Sequence, residues 1–284
     1  MPELPEVEIT ARLLDDALRG ARIESALAPG INALKTFEPP LSALAGERIT
    51  AVGRRGKQLL IDLDGPAHPL TLLIHLMSAG RLQLYDRRAG PRDRTSRLLL
   101  RIADGRELRL REFGSKQAAW VKLLRTAELE REEATATLGP EAWPEPPPLG
   151  DLLAAPRPLH GLLRDQRTIA GIGRSWVDEI LWQARLSPYK RGLDLDEREL
   201  ERLRAAVIET LGAAIAHYEQ AVRLPIPDQL PMPLRVHRHQ GEPCPRCAAT
   251  LQAVHFEDYV IAYCPACQTE GRVLKDRRLS RLLR

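Results

Sequence analysis

Between Gly139 and Gly150 the chain reads Gly-Pro-Glu-Ala-Trp-Pro-Glu-Pro-Pro-Pro-Leu-Gly, five prolines in twelve residues. Proline fixes φ and offers no backbone N–H, so neither a helix interior nor a central strand can run through this stretch. It predicts a semi-rigid linker and, with it, a chain divided into parts that fold around separate cores. The periodicity changes across it. Before the linker a helix is predicted over 5–19, with Pro5 in its first turn, Val7, Ala11, Leu14 and Leu18 on one face, and Gly20 at its end. Short apolar or alternating segments at 57–63, 70–76, 81–85, 96–102 and 107–111 then read as strands separated by Gly and Asp breakers. After the linker the pattern is helical, over 174–185 and 196–218, where Leu200, Leu203, Val207, Leu211, Ala214 and Tyr218 form an apolar stripe.

All four cysteines fall in Cys244-Pro-Arg-Cys247 and Cys264-Pro-Ala-Cys267, with sixteen residues between the pairs. This is the two-knuckle spacing of a four-thiolate zinc site, and four protein ligands leave no position for water, so such an ion is structural. The alternative is a set of reduced thiols without metal. The first 20 residues carry acids where a secretory signal needs an apolar core, and no apolar run approaches the roughly 18 residues a membrane span requires. A cytoplasmic protein with no membrane partner is expected, and crowded cysteines there favour metal over disulfides.

With 42 Lys+Arg against 38 Asp+Glu the net charge is only +4, but it is unevenly placed. From Arg81 to Arg111 ten Arg face four acids, and from Gly271 to Arg284 six cations face one. Only six of the 42 cations are Lys, which suits bidentate recognition of phosphate. Arg-rich alternating strands ending at Arg111-Glu-Phe113-Gly114 suit a nucleic-acid groove, with a guanidinium and an aromatic placed to fill a gap in a base stack.

The chain opens Met1-Pro2-Glu3-Leu4-Pro5-Glu6. With Met1 removed, Pro2 presents a secondary amine, partly unprotonated near neutral pH, that can attack a sugar C1′ and form an iminium. Glu3 and Glu6 are then candidate acid/base groups; from local sequence alone, acids beside a proline are equally helix-capping residues. Lys57 follows a cationic turn and begins a strand, as a phosphate contact or a proton carrier. His75 ends an apolar strand, where a hydrogen-bonded structural histidine is the competing assignment. Gly171-Ile-Gly173-Arg174 precedes a helix whose Ser175 and Asp178 fit a capping box, and such a helix start attracts phosphate.

In this order the motifs resemble the formamidopyrimidine-DNA glycosylase and endonuclease VIII family of bifunctional base-excision repair enzymes. The carrying residues are Pro2-Glu-Leu-Pro-Glu-Val-Glu8, Arg54-Arg-Gly-Lys57, Ile74-His-Leu76 with Gly80, Arg111-x-Phe113-Gly114, Asp165-Gln166 through Gly173, and Gly241-Glu-Pro-Cys244 with the other cysteines. The resemblance implies an α+β multidomain chain: an N-terminal β-sandwich over 1–138, the linker over 139–150, a helix-two-turn-helix domain over 151–236, a zinc finger over 237–270 and a basic tail over 271–284. It implies a monomer acting on damaged double-stranded DNA bound in the cleft between the domains. Pro2 becomes the Schiff-base nucleophile, Glu3 the acid/base and Lys57 the proton donor for β-elimination. Arg111 and Phe113 insert where the damaged nucleotide is flipped out, and His75, Met77, Gly173 and Arg174 fall at DNA-facing positions.

Three positions depart from the family pattern. Arg174 stands where an Asn usually binds phosphate. Tyr259, flanked by Glu257 and Asp258, stands where the finger usually carries an Arg, which predicts weak or absent δ-elimination. His75-Leu-Met-Ser-Ala-Gly80 shifts the void-filling methionine to Met77. A DNA-lesion or abasic-site binding protein with little excision is the alternative these departures leave open, and a zinc-ribbon interaction module is a third.

Overall fold

A computed structural model of the chain describes residues 2–30, 32–65, 67–89, 93–113, 117–256 and 259–274. Met1, Gly114, Glu257, Asp258 and the tail from Lys275 onward lie outside the described residues. The chain divides into two compact units, one of residues 1–137 with 215–231, the other of residues 138–214 with 232–284.

The first unit starts with α1 (Leu4–Leu18), whose buried face carries Leu4, Val7, Ala11, Leu14 and Leu18 at helical spacing. Its C-terminus is closed by Arg19 N–H on Asp15 O, and Gly20 turns the chain away at φ +82°. Eight strands follow: β1 (Ile23–Leu27), β2 (Ile49–Arg55), β3 (Gln58–Leu63), β4 (Leu70–His75), β5 (Gly80–Tyr85), β6 (Ser96–Ile102), β7 (Glu107–Glu112) and β8 (Trp120–Arg125). Among the described residues they form two four-stranded antiparallel sheets, ordered β1-β6-β7-β5 and β2-β3-β4-β8.

Register explains the core. Val52, Ile61, Leu72 and Leu123 pair across one sheet, and Ala26, Leu100, Leu108 and Leu84 across the other. These rows belong to one apolar cluster that also takes in the buried face of α1. Each Leu or Ile so buried stabilises by about 1.5–3 kcal/mol, before the entropy cost of ordering it. A helix packed on a two-sheet sandwich is the expected N-terminal architecture. Its short helix α2 (Glu133–Ala136) follows β8.

The second unit holds α3 (Gly150–Leu153), α4 (Leu159–Arg164), α5 (Arg174–Gln183), α6 (Glu197–Ala221, whose last turns group with the first unit), the hairpin β9 (Gln252–His255) and β10 (Val260–Tyr263), and α7 (Pro265–Gln268). The Pro-rich stretch is not a free linker. Gly139 N–H and Ala142 N–H donate to Gln166 O and Ala170 O, Ala170 N–H donates back to Pro140 O, and Arg204 Nε donates to Pro146 O. The N–H groups of its non-proline residues and the carbonyls that proline leaves intact together tie it down.

The turn between α4 and α5 is organised by Gln166, whose Nε2 donates to Ile172 O (2.8 Å) and whose Oε1 accepts Gly171 N–H (3.0 Å). Gly171 sits at φ +107°, the one place in Gly171-Ile-Gly173 where a side chain would be strained. The expected capping box at Ser175 and Asp178 does not form. Gly173 is the N-cap of α5 without a side-chain cap, and Asp178 is 1% exposed, its Oδ2 accepting from His237 Nδ1 (2.7 Å) and Ala262 N–H (3.0 Å). Beside it Glu179 accepts the N–H groups of Arg235, Val236 and His237. Two buried acids on α5 therefore hold the segment entering the cysteine module and the strand β10 within it, just ahead of Cys264.

Candidate active site and nucleic-acid interface

The N-terminal residues proposed for chemistry are drawn together at the head of α1. Pro2 is buried, and Glu3 and Glu6 are 3% and 4% exposed. The two acids form a capping box, in which Glu3 N–H donates to Glu6 Oε2 (2.8 Å), with Pro5 in the first turn. Capping and catalysis are thus not rival assignments: the box is what orders the terminus. The second Glu6 oxygen, Oε1, accepts the hydroxyl of Tyr218 (2.7 Å) from the end of α6. In the sequence Tyr218 is one position of the apolar stripe along α6, with nothing local to mark its hydroxyl.

Lys57 lies on the two-residue turn between β2 and β3, rather than beginning the strand, and Gly56 supplies the positive φ that so tight a turn needs. The turn is tied back to α1 through Arg54 Nε on Glu8 Oε2 (2.6 Å), Glu8 in turn holding Arg12 (2.7 Å). The next residue, Gln58, pairs directly with His75 across β3 and β4.

His75 stacks on Trp120 (centroids 5.5 Å apart), and its Nδ1 accepts Met77 N–H (2.9 Å). Burial first, then the positive charge of Lys57, pull its pKa down to about 4. The ring is therefore a neutral acceptor at working pH. Because the folded value lies below the ordinary 6.5, the stability this ring permits is complete above about pH 6.5 and is lost as pH falls toward 4. His75→Asn, whose Oδ1 can still accept Met77 N–H, should flatten that acid limb by on the order of 1–3 kcal/mol, read as Tm between pH 7 and 4. Parallel Tm curves for the two proteins would contradict it.

Met77 sits in a turn at φ +50°, and Gly80, which starts β5, comes so close to Leu76 that a Cβ would lie 2.4 Å from its carbonyl oxygen. Only glycine fits there. Arg111, on β7, is held by Thr95 Oγ1 (3.0 Å) and Tyr85 OH (2.8 Å), and its guanidinium stands 4.5 Å from the Phe113 ring. Between them the buried Glu112 accepts the N–H groups of Ala118 and Ala119 (2.8 and 3.0 Å), just ahead of β8. The Arg111–Phe113 pair thus sits at the end of β7, beside a buried carboxylate that is itself held.

The other predicted residues belong to the second unit. Gly173 and Arg174 start α5, and the Arg174 guanidinium lies 5.3 Å from the Tyr259 ring, over which Arg164 also stands at 4.1 Å. Tyr259 stacks on Phe256 and on His160. The aromatic at the departed position therefore carries two guanidinium groups supplied by the helices, a pairing that the missing arginine concealed.

The four cysteine sulfurs lie within 4.8 Å of one another, with Cys247 to Cys264 at 3.4 Å, Cys247 to Cys267 at 3.5 Å and Cys244 to Cys267 at 4.0 Å. A tetrahedral ion with about 2.3 Å metal–sulfur bonds sets sulfurs about 3.8 Å apart, so the cluster fits a metal. Cys244 is held in place further by Trp182 Nε1 (3.3 Å), and burial of its thiol is outweighed by backbone N–H groups of Arg246 and Cys247 and by Trp182, which bring its pKa to about 6.

Residues 1–115 match the model of the formamidopyrimidine-DNA glycosylase N-terminal domain, and residues 150–225 that of the formamidopyrimidine-DNA glycosylase H2TH domain. A formamidopyrimidine-DNA glycosylase of Moorella thermoacetica is 35% identical over 271 residues, covering 89% of this chain and 94% of that protein. The chain belongs to the formamidopyrimidine-DNA glycosylase family. A second relative of that name, from Chloroflexus aurantiacus, is 34% identical, covering 94% of this chain and 98% of its own. Among solved structures, the Lactococcus lactis Fpg in complex with abasic-site DNA is 27% identical and superposes with a TM-score of 0.81, covering 94% of this chain and 99% of that one. The wild-type enzyme from the same organism bound to DNA containing N7-benzyl-Fapy-dG gives the same TM-score at 28% identity, covering 94% and 100%. The sandwich, helical domain and four-cysteine module of this family are all present. Family members are base-excision repair DNA glycosylases with AP-lyase activity.

Proposed function

We propose that this chain is a base-excision repair DNA glycosylase and AP lyase for oxidised bases in double-stranded DNA, with the Pro2 amine as its nucleophile. The observation that carries the assignment is the buried Glu3–Glu6 box, which holds the Pro2 terminus at the head of α1 instead of leaving it frayed. Pro2 nitrogen attacks C1′ of the damaged nucleotide and the glycosidic bond breaks, its electron pair leaving with the base. Glu3 serves as the acid/base group at the sugar. The Pro2 nitrogen then gives up its proton and O4′ leaves C1′ with that bond's electron pair, taking a proton from Glu3, so the sugar ring opens to an iminium; this acidifies C2′, loss of that proton expels the 3′ phosphate, and water then releases the cleaved sugar from Pro2.

In this reading Lys57, on the turn tied to α1, is the proton donor during β-elimination, and Glu6 orders the terminus. Arg111, Phe113 and Met77 fill the space left by the flipped nucleotide, and His75, Gly173 and Arg174 contact the DNA backbone. Cys244, Cys247, Cys264 and Cys267 hold one structural zinc; with all four positions filled it does no chemistry. Among the described residues no helix is long and apolar enough to cross a membrane, and a place beside the chromosome in the cytoplasm suits the proposed substrate. Tyr259, in place of an arginine, supports cleavage that stops at β-elimination.

The test is a nicking assay on duplexes carrying 8-oxoguanine, formamidopyrimidine, thymine glycol, dihydrouracil or an abasic site, with borohydride trapping alongside. The expected result is a trapped adduct and β product with little β,δ product. Lys57→Ala should still trap but cleave abasic DNA at least about tenfold more slowly. Tight binding across the panel with neither adduct nor nick would make the protein a lesion-binding one instead.

A further inference from the structure

We propose that Tyr218 is a positioning residue for the nucleophile: through Glu6 its hydroxyl holds the peptide that joins Pro2 to Glu3. The inference rests on the assignment of Pro2 as nucleophile. Tyr218 is 0% exposed and continues the stripe of Leu211 and Ala214 along α6, where an apolar side chain would satisfy packing alone. A buried hydroxyl is costly unless hydrogen-bonded, and this one has a charged acceptor, Glu6 Oε1, at 2.7 Å.

Helix capping does not require it. The cap needs only one Glu6 oxygen, Oε2, to accept Glu3 N–H at 2.8 Å. Docking of α6 does not require it either, since the next residue, Glu219, pairs with Arg12 of α1. What the phenol adds is a second anchor on the same carboxylate, which stops it from rotating about its bond to Glu3 N–H. Between that peptide plane and the Pro2 nitrogen only one soft torsion, the ψ of Pro2, remains. A carboxylate held at both oxygens thus fixes the direction of the attacking lone pair to within one rotation, and Pro2 is itself buried.

The charge balance points the same way. Carboxylates near an amine favour its protonated, non-nucleophilic form, and a hydrogen bond to Glu6 draws off part of that charge. Burial and the neighbouring Glu6 and Glu3 push the Tyr218 pKa well above its ordinary 10, so it remains a donor throughout the working range.

The experiment is single-turnover borohydride trapping on abasic-site DNA at saturating enzyme, with Kd measured on an uncleavable tetrahydrofuran site and Tm recorded. Tyr218→Phe should trap about tenfold more slowly while Kd stays within about twofold. Glu6→Gln should also be slow, and adding Tyr218→Phe to it should cost less than about twofold more, because the hydroxyl acts through the carboxylate. Wild-type trapping by Tyr218→Phe, or losses that multiply in the double variant, would overturn the proposal and leave Tyr218 as packing. If Tyr218→Phe fails to fold, Tyr218→Met fills the same space without a hydroxyl and is read by the same outcomes. Absence of any adduct with the unmodified protein would sink the nucleophile assignment itself, a distinguishable failure.

Discussion

A chain that keeps any residue ahead of Pro2 should form no borohydride-trapped adduct with abasic-site DNA, a loss of at least about a thousandfold in rate. The reason is electronic. Acylation turns the Pro2 amine into an amide, whose lone pair is delocalised into the carbonyl and cannot attack C1′. The box at Glu3 and Glu6 makes the test cleaner, because each side chain accepts the other residue's backbone N–H, and Glu6 also accepts Tyr218 OH, none of which uses the Pro2 nitrogen. Pro2→Gly, by contrast, restores a free but primary and less constrained amine and should trap slowly rather than not at all. Affinity for a tetrahydrofuran site should change far less than the trapping rate. An extended chain that traps at the unmodified rate would move the nucleophile to a side-chain amine, with Lys57 the first to examine.

The elements legible in the sequence carry a plain apolar pattern: α1 repeats every 3.6 residues, β3 and β7 alternate, and β4 and β6 run almost continuously buried. The strands that were missed break it. β1 and β2 each carry a register shift, between Ile23 and Ser25 and between Ile49 and Ala51, so alternation slips at the bulge. β8 opens on a half-exposed Trp120 and interleaves Lys122 and Arg125 with its apolar residues.

For the site, single side chains with unusual chemistry were readable and long-range partnerships were not. The cysteines stand out by type and spacing, whereas Pro2, Glu3 and Lys57 draw notice only through the order of motifs they share with the family. Asp178 matched a capping pattern, yet its partners are His237 and Ala262, more than fifty residues away. The segment after α6 shows why such ties are silent: Ile226 O accepts from Gln83 and Asp228 O accepts from Arg81, and backbone carbonyls leave no trace in sequence. That same Gln83 carries on through its Oε1 to Tyr85 OH (2.9 Å) and Arg111 Nη1 (3.3 Å). The segment after α6 and Arg111 therefore meet on one glutamine, a link that neither stretch suggests alone.

Removal of the proposed zinc should have the second large effect, and the packing of the finger determines its form. The module's apolar clusters are small: Cys244, Leu251, Ala262 and Cys264 pack with Val236 and with Trp182 of α5, Val254, Ile261 and Tyr263 form a second cluster, and Arg246 lies 4.1 Å over the Trp182 ring. Structural zinc contributes about 10–16 kcal/mol to the folding of such small modules, far more than these few contacts supply. Chelation, or Cys264→Ser, should therefore melt the β9–β10 hairpin and bare Trp182, giving a red-shifted tryptophan emission and the loss of about one zinc per chain. Asp178 and Glu179 would then lose Ala262 and the 235–237 segment, leaving two adjacent buried carboxylates short of donors; Glu179 already has its pKa raised by burial. Destabilisation should in consequence spread into α5 and displace Arg174 from Tyr259, so affinity for abasic-site DNA should fall at least about a hundredfold. Trapping at saturating enzyme should suffer less, since Pro2, Glu3 and Lys57 belong to the first unit. Unchanged emission and affinity in a chain shown to contain no zinc would mean that Trp182 and the two acids hold the module without a metal.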